Sequence, residues 1–139
     1  MKYVVTGGAG FIGSNLVEKL IDDNHEVHIV DNLSTGKIDN CNGEAIFHNN
    51  DISDEKNLMN LKEIFSDADT VFHCAASARV QPSILNPIKF EKNNTMGLIN
   101  SLKCSVDSNV RRFIYSASSS AYGPTDKLPS KETDIVNPI

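Results

Sequence analysis

The chain has 139 residues, enough for one domain with a true core. It is 40% hydrophobic and 22% charged with a formal net charge of −5, which argues against a general nucleic-acid surface, because phosphate binding wants a basic field. Its apolar runs are far shorter than the roughly 18 residues of a membrane span, its first residues do not make a signal peptide, and Cys41, Cys74 and Cys104 show neither disulfide-scaffold nor metal spacing, which fits a cytoplasmic, reducing setting.

In chain order, KYVVT (2–6) is short, apolar and β-branched and predicts a buried strand. Phe11, Ile12, Leu16, Val17, Leu20 and Ile21 then recur at three and four, which predicts an amphipathic helix to about Asp23, closed by Asn24 and His25. EVHIV (26–30) predicts the second strand, and DNLSTGK (31–37) a polar loop. EAIFH (44–48) predicts a third strand, followed by a helix over 54–66 that Ser53 or Asp54 could cap. DTVFHCA (69–75) predicts a fourth strand. The two prolines of RVQPSILNP (79–87) predict an irregular or helix-initiating stretch, and a long helix should cover much of 88–107, with apolar positions at Ile88, Met96, Ile99, Leu102 and Val106. RRFIYSA (111–117) predicts a fifth strand, and the polar remainder has no strong period. Strands alternating with helices favour a parallel sheet covered on both faces.

Three glycines follow the first strand in TGGAGFIG (6–13), spaced G-x-x-G-x-x-G. Gly7 can take a backbone shape that a side chain forbids. Gly10 allows close approach of a pyrophosphate, and Gly13 allows tight packing of helix on sheet. The free N–H groups and dipole of the first helical turn would face the phosphates. Asp31 directly follows the second strand, 18 residues after Gly13, where a carboxylate can accept both adenosine ribose hydroxyls and repel a 2′-phosphate. NAD is therefore expected over NADP. A P-loop would need G-K-[ST], which is absent here.

Other polar positions sit where a parallel sheet collects ligands, at the carboxyl edge. Asp51 and Ile52 could flank adenine, and the small residues of CAASA (74–78) would let a cofactor lie across the backbone. His73, within a strand, is expected to be a structural, hydrogen-bonded histidine, and Cys74 and Cys104 small buried hydrophobes. His25, His28 and His48 are scattered without metal spacing. Asn93 and Asn94 face either solvent or cleft. Ser118 could donate a hydrogen bond to a substrate oxygen, although a serine without an activating partner is no base.

TGGAGFIG, DNLSTG, DI at 51–52, HCAA at 73–76, NN at 93–94 and SASSSAYG at 116–123 together resemble the extended short-chain dehydrogenase/reductase family, in its NAD-dependent epimerase/dehydratase branch that acts on nucleotide sugars such as UDP-glucose and UDP-N-acetylglucosamine. The resemblance covers the whole chain. It implies a Rossmann-type doubly wound α/β sheet, truncated before its last strands. It implies NAD as cofactor, with Gly7, Gly10 and Gly13 at the pyrophosphate and Phe11 and Ile12 opening the helix over it. Asp31 and Asn32 would hold the ribose, with Ser34, Thr35 and Gly36 nearby. Asp51 and Ile52 would frame adenine, Cys74, Ala75 and Ala76 would line the cofactor path, Asn94 would match the family's cofactor asparagine, and Ser118 the catalytic serine.

By the same resemblance the activity is epimerisation of a nucleotide sugar at C4 through a 4-keto intermediate, in a homodimer that uses helices from 88–107. The alternatives are a dehydratase, decarboxylase or reductase of the same family, or a non-catalytic NAD-binding module. Ser119 and Ser120 stand where dehydratases carry an Asp-Glu pair, which disfavours that branch. The family's Tyr-x-x-x-Lys is absent, since none of Tyr3, Tyr115 and Tyr122 has a lysine four residues on. The 139 residues are thus expected to be the amino-terminal part of the NAD-binding domain, without the Tyr-x-x-x-Lys helix and the carboxyl-terminal substrate domain, and inactive alone.

Overall fold

A single five-stranded sheet organises the computed structural model, which describes residues 1–124 and 128–138. Residues 125–127 and 139, in the stretch predicted to lack period, lie outside the described residues. The strands are β1 (Lys2–Thr6), β2 (Glu26–Asp31), β3 (Ile46–Asn49), β4 (Thr70–His73) and β5 (Arg112–Tyr115), in the spatial order β3-β2-β1-β4-β5, with every neighbouring pair parallel. β4 and β5 stop short of the predicted 75 and 117. The reason lies in β1, whose pairing with β4 ends at Thr6 opposite His73, where the glycine turn begins.

Helices cover both faces. On one, α1 (Phe11–Asp22) sets Val17 and Leu20 against Val5, Val27 and Ile29. On the other, α2 (Leu58–Phe65) contributes Leu61, Ile64 and Phe65 to a core with Val4, Val30 and Val71. Strands buried on both sides need no polar alternation, hence the Val- and Ile-rich runs. Burying each Val, Leu or Phe side chain of these clusters contributes roughly 1.5–3 kcal/mol. Asn24 ends α1 at φ 60°, its N–H donating to the Ile21 carbonyl while the His25 N–H donates to Leu20. This is a Schellman stop with asparagine in the left-handed position. Asp54 accepts from the Lys56 N–H and starts the 3-10 turn that leads into α2, as one of the two predicted caps.

The stretch 79–87 is helix-initiating: α3 (Val80–Leu85) is followed by α4 (Pro87–Glu91), with Pro87 in the first turn and Asn86 as its cap. The predicted long helix is interrupted. α4 passes through a π-helical turn, Lys92–Met96, into α5 (Gly97–Asp107). One π turn rotates the following residues relative to the preceding ones, a device found often at functional sites. The predicted apolar stripe of this helix faces outward except at Met96, which is half-buried. Ile88, Ile99, Leu102 and Val106 are exposed, while Gly97, Asn100, Ser101, Cys104 and Ser105 are buried. The inward face is small and polar because it must approach a loop closely and bond to it. The Asn100 amide donates to the Ile52 carbonyl at 2.8 Å, and a Cβ on Gly97 would lie 3.1 Å from Ile52. Replacing Asn100 by alanine strands that carbonyl in the interior, and is expected to lower the unfolding free energy by about 1–3 kcal/mol in a urea titration.

His73 is buried, as expected of a structural histidine. Its Nδ1 lies 3.0 Å from Thr6 Oγ1, and its ring stacks on Phe113. Two other expectations need correction. Cys104 is buried but Cys74 is only half-buried, because β4 ends before it, and its sulfur lies 3.6 Å from Ser116 Oγ. His28 and His48 are not scattered. Pairing of β2 with β3 brings His28 Nδ1 to 2.9 Å from His48 Nε2, and His28 Nε2 to 2.8 Å from Glu26. Among the described residues no helix is long and apolar enough to cross a membrane.

Candidate functional site

The order of the strands places β1 between β2 and β4, so successive parallel strands are added to one side of β1 and then to the other. Such a switch point opens a crevice at the carboxyl edge. TGGAGFIG enters that crevice from β1. Gly7 sits at φ +72°, and a Cβ there would lie 2.7 Å from the Ala75 backbone, so the two edges of the crevice meet through a missing side chain. Gly13 packs with equal closeness: a Cβ would collide with the Gly7 carbonyl oxygen and lie 2.8 Å from Gly8 Cα. Gly10 differs, since only the Gly7 carbonyl, at 3.2 Å, is near its absent side chain.

Gly10 is also the N-cap of α1. Among the described residues no side chain caps this helix, and no acid stands in its first turn. Phe11 and Ile12, predicted as part of the apolar stripe, are instead 85% and 67% exposed. An uncapped helix N-terminus flanked by exposed apolar groups is what a bound pyrophosphate would complete.

Asp31 is half-buried at the end of β2. One of its carboxylate oxygens accepts from the Ala9 N–H at 3.0 Å and the other from the Leu33 N–H at 2.8 Å. It therefore ties the glycine turn to the following loop and keeps lone pairs for two hydroxyls. Ala9, which no sequence signal singles out, is the anchor of that loop: its carbonyl accepts from the Lys37 N–H and the Asn40 amide. Gly36 allows this contact, because a Cβ there would meet Ala9 at 2.9 Å.

The loop after β3 contributes Asp51. The Ser53 hydroxyl and N–H both donate to it, at 2.7 and 2.8 Å, and the Asn32 amide donates at 3.1 Å. Burial works to raise this carboxyl, but those bonds and the Lys92 charge carry it below the ordinary carboxylate value. Val30, Asp31, Asn32, Ser34, Thr35, Asn50, Asp51, Ile52, Ser53, Ala75, Ala76, Ser77 and Asn93 line one cleft. Asn50 is buried in its wall, and its side-chain carbonyl has no partner among the described residues. Such an acceptor fits a ligand that brings a donor, as the adenine amine does.

The asparagine pair divides its work. Asn94, matched from the resemblance to the cofactor position, is spent on the loop after β4: it accepts from the Ser77 N–H at 2.7 Å and donates to the Ser77 carbonyl at 3.0 Å. Asn93 is the one in the cleft wall, donating to Ser77 Oγ at 2.8 Å. The π turn puts both on the inner side, and no sequence signal distinguishes them. Ser77 belongs to the CAASA stretch expected to border a cofactor, whereas no sequence signal marks Val30 in β2, or Asn50 and Ser53 in the loop after β3, as cleft residues. Ser118 follows β5 on the exposed surface, its Oγ accepting from the Ser120 N–H at 3.2 Å, which leaves its own proton to donate. Cys74 stands outside the cleft lining, beside Ala75.

The model of the NAD dependent epimerase/dehydratase family matches residues 3–139. The chain is 37% identical over 141 residues to the UDP-glucose 4-epimerase of Lactobacillus helveticus, covering 100% of this chain and 42% of that one. It superposes on the UDP-glucose 4-epimerase of Thermotoga maritima, solved with UDP-glucose, at a TM-score of 0.89 and 41% identity, covering 100% of this chain and 45% of that one. With the UDP-glucose 4-epimerase of Thermus thermophilus, solved in complex with NAD, the TM-score is 0.87 at 33% identity, covering 99% of this chain and 45% of that one. The chain thus spans less than half the length of these relatives. The five-stranded parallel sheet, the glycine turn at its switch point and the match across residues 3–139 place the chain in the NAD-dependent epimerase/dehydratase family of extended short-chain dehydrogenases/reductases.

Proposed function

We propose that these residues are the nucleotide-binding part of an NAD-dependent nucleotide-sugar 4-epimerase. The observation that carries this reading is convergence: Asp31, Asn32, Asp51, Ile52, Ala75 and Ala76 line one cleft beside the uncapped N-terminus of α1. The first turn of α1, with Gly7, Gly10 and Gly13 clearing space, would hold the pyrophosphate. Asp31 would take the adenosine ribose hydroxyls. Ile52 would offer adenine an apolar face with Asp51 beside it, and the small side chains of Ala75 and Ala76 would let the cofactor cross β4. Bound NAD supplies a hydride acceptor for the sugar C4.

Ser118 would donate its free hydroxyl proton to the C4 oxygen and align it, both as the alcohol and as the 4-keto group. It cannot take the C4 hydroxyl proton, because its own acidity is too weak and the described structure gives it no base partner. That proton is assigned to a tyrosine–lysine pair in the remainder of a full-length protein. The nucleotide sugar is the proposed substrate. A homodimer is proposed through the exposed Ile99, Leu102 and Val106 of α5. A cytoplasmic setting suits the three free cysteines.

Calorimetric titration with NAD tests the reading. The chain is expected to bind NAD, and Asp31→Ala to weaken binding at least about tenfold, since charge-assisted hydrogen bonds contribute roughly 1.5–3 kcal/mol. Because the carboxylate also holds Ala9 and Leu33, Asp31→Asn serves as the milder companion. Wild-type affinity in both variants would overturn the assignment of the ribose site.

A further inference from the structure

A row of polar side-chain contacts runs along the cleft. Asn32 donates to Asp51 at 3.1 Å, and Ser53 Oγ donates to the same carboxylate at 2.7 Å. Ser53 Oγ and Asn93 Oδ1 are 3.4 Å apart, and Asn93 donates to Ser77 Oγ at 2.8 Å. Asn94 then grips both the N–H and the carbonyl of Ser77. The row begins on the loop after β2, crosses the loop after β3, and ends on the loop after β4. Ser53 is 4% exposed and Asn93 and Ser77 are half-buried, so water competes weakly for these bonds.

The Ser53 hydroxyl has one proton, and the short bond to the Asp51 carboxylate claims it. Its oxygen can then accept from an amide but cannot also donate to one. Turning the Asn93 amide end for end satisfies all three groups: its NH2 donates to Ser53 Oγ, and its carbonyl accepts the Ser77 hydroxyl. The path then runs in one direction, from Ser77 through Asn93 and Ser53 to a carboxylate held ionised. A charged end strengthens every link behind it.

We propose that Ser53, Asn93 and Ser77 form a strut that sets the separation of two walls of the cleft, the loop after β3 and the loop after β4. Ser53 and Ser77 are then positioning residues: they act through Asp51 and Asn93. The inference rests on the NAD reading above and adds a coupling that shape alone does not supply. A change at Ser77 is felt by the adenine half of the ligand, although Ser77 stands on the opposite loop.

The test is a double-mutant cycle on the full chain with two probes, AMP and NAD. Ser77→Ala is expected to weaken AMP several-fold and Ser53→Ala likewise. The double variant should be no worse than the poorer single one, because both cut the same strut. Ser77→Thr, which keeps the hydroxyl, should restore AMP affinity. AMP affinity unmoved by Ser77→Ala, or effects that simply add, would overturn the strut while leaving NAD binding intact. No NAD binding by the unsubstituted chain would overturn the cofactor reading and the strut with it. Should Ser53→Ala prove too unstable to titrate, the Ser77→Ala and Ser77→Thr comparison decides alone.

Discussion

Gly13→Ala is expected to lower the unfolding free energy by roughly 3 kcal/mol or more and to abolish NAD binding, measured by urea titration and calorimetry. Inside a helix, alanine for glycine ordinarily stabilises by about 1 kcal/mol. Here sterics outweigh propensity, because the new methyl collides with the Gly7 carbonyl and lies 2.8 Å from Gly8 Cα and 2.9 Å from Gly7 C. All three are backbone atoms of a turn pinned by the Gly7 N–H to the Val30 carbonyl at 2.8 Å. The turn cannot retreat without pulling β1 from β2. Gly10→Ala is the contrast. Its backbone is ordinary extended chain at φ −81°, ψ 173°, and the nearest atom to a Cβ is 3.2 Å away. It should change stability by less than about 1 kcal/mol and still cost NAD affinity, since the methyl fills the space assigned to phosphate. A stabilising Gly13→Ala, or a Gly10→Ala that binds NAD normally, would remove the argument for this turn.

Acid should weaken the fold well above the carboxylate range, and His73 is the reason. Burial against Phe113 and Tyr115 lowers its pKa from 6.5 to about 4. In the unfolded chain it titrates near ~6.5. Between those values the unfolded state binds a proton that the native state refuses. The histidine's contribution is therefore full above pH 6.5 and falls away as pH drops towards 4. The total loss is of order 3 kcal/mol. His48, half-buried, is also lowered, by burial and by the neighbouring His28 and Lys2, and adds to the loss with the same sign. Asp51, held below the ordinary carboxylate value, acts only at lower pH. His73→Asn keeps a polar atom towards Thr6 and loses the titrating ring. Its stability should start lower, by the cavity, and decline less between pH 6.5 and 4. Equal slopes for the two proteins in that window would show that His73 does not drive the acid loss.

The consequence reaches the site. Thr6 ends β1 and His73 ends β4, so their bond at 3.0 Å fastens the two strands that flank the crevice. The Ala75 N–H also reaches Thr6 Oγ1, at 3.4 Å. Protonating His73 would add a charge beneath the loop that carries Ala75 and Ala76.

Local patterns in the sequence determined the strands, the helices on both faces, the glycine turn and the acid at the end of β2. These are legible because each depends on neighbours in the chain: a run of β-branched residues, a period near 3.6, and backbone that only glycine permits. Tertiary structure alone decided the inner face of α5, where close approach to Ile52 and the bond from Asn100 outweighed the apolar stripe. It alone gave Asn93 and Asn94, both turned inward by one π turn, different atoms of Ser77 to hold, and brought Ser53 and Ser77 together across 24 positions of chain. Hydrogen bonds between loops depend on where the sheet order brings strand ends together, and no stretch of sequence contains that order.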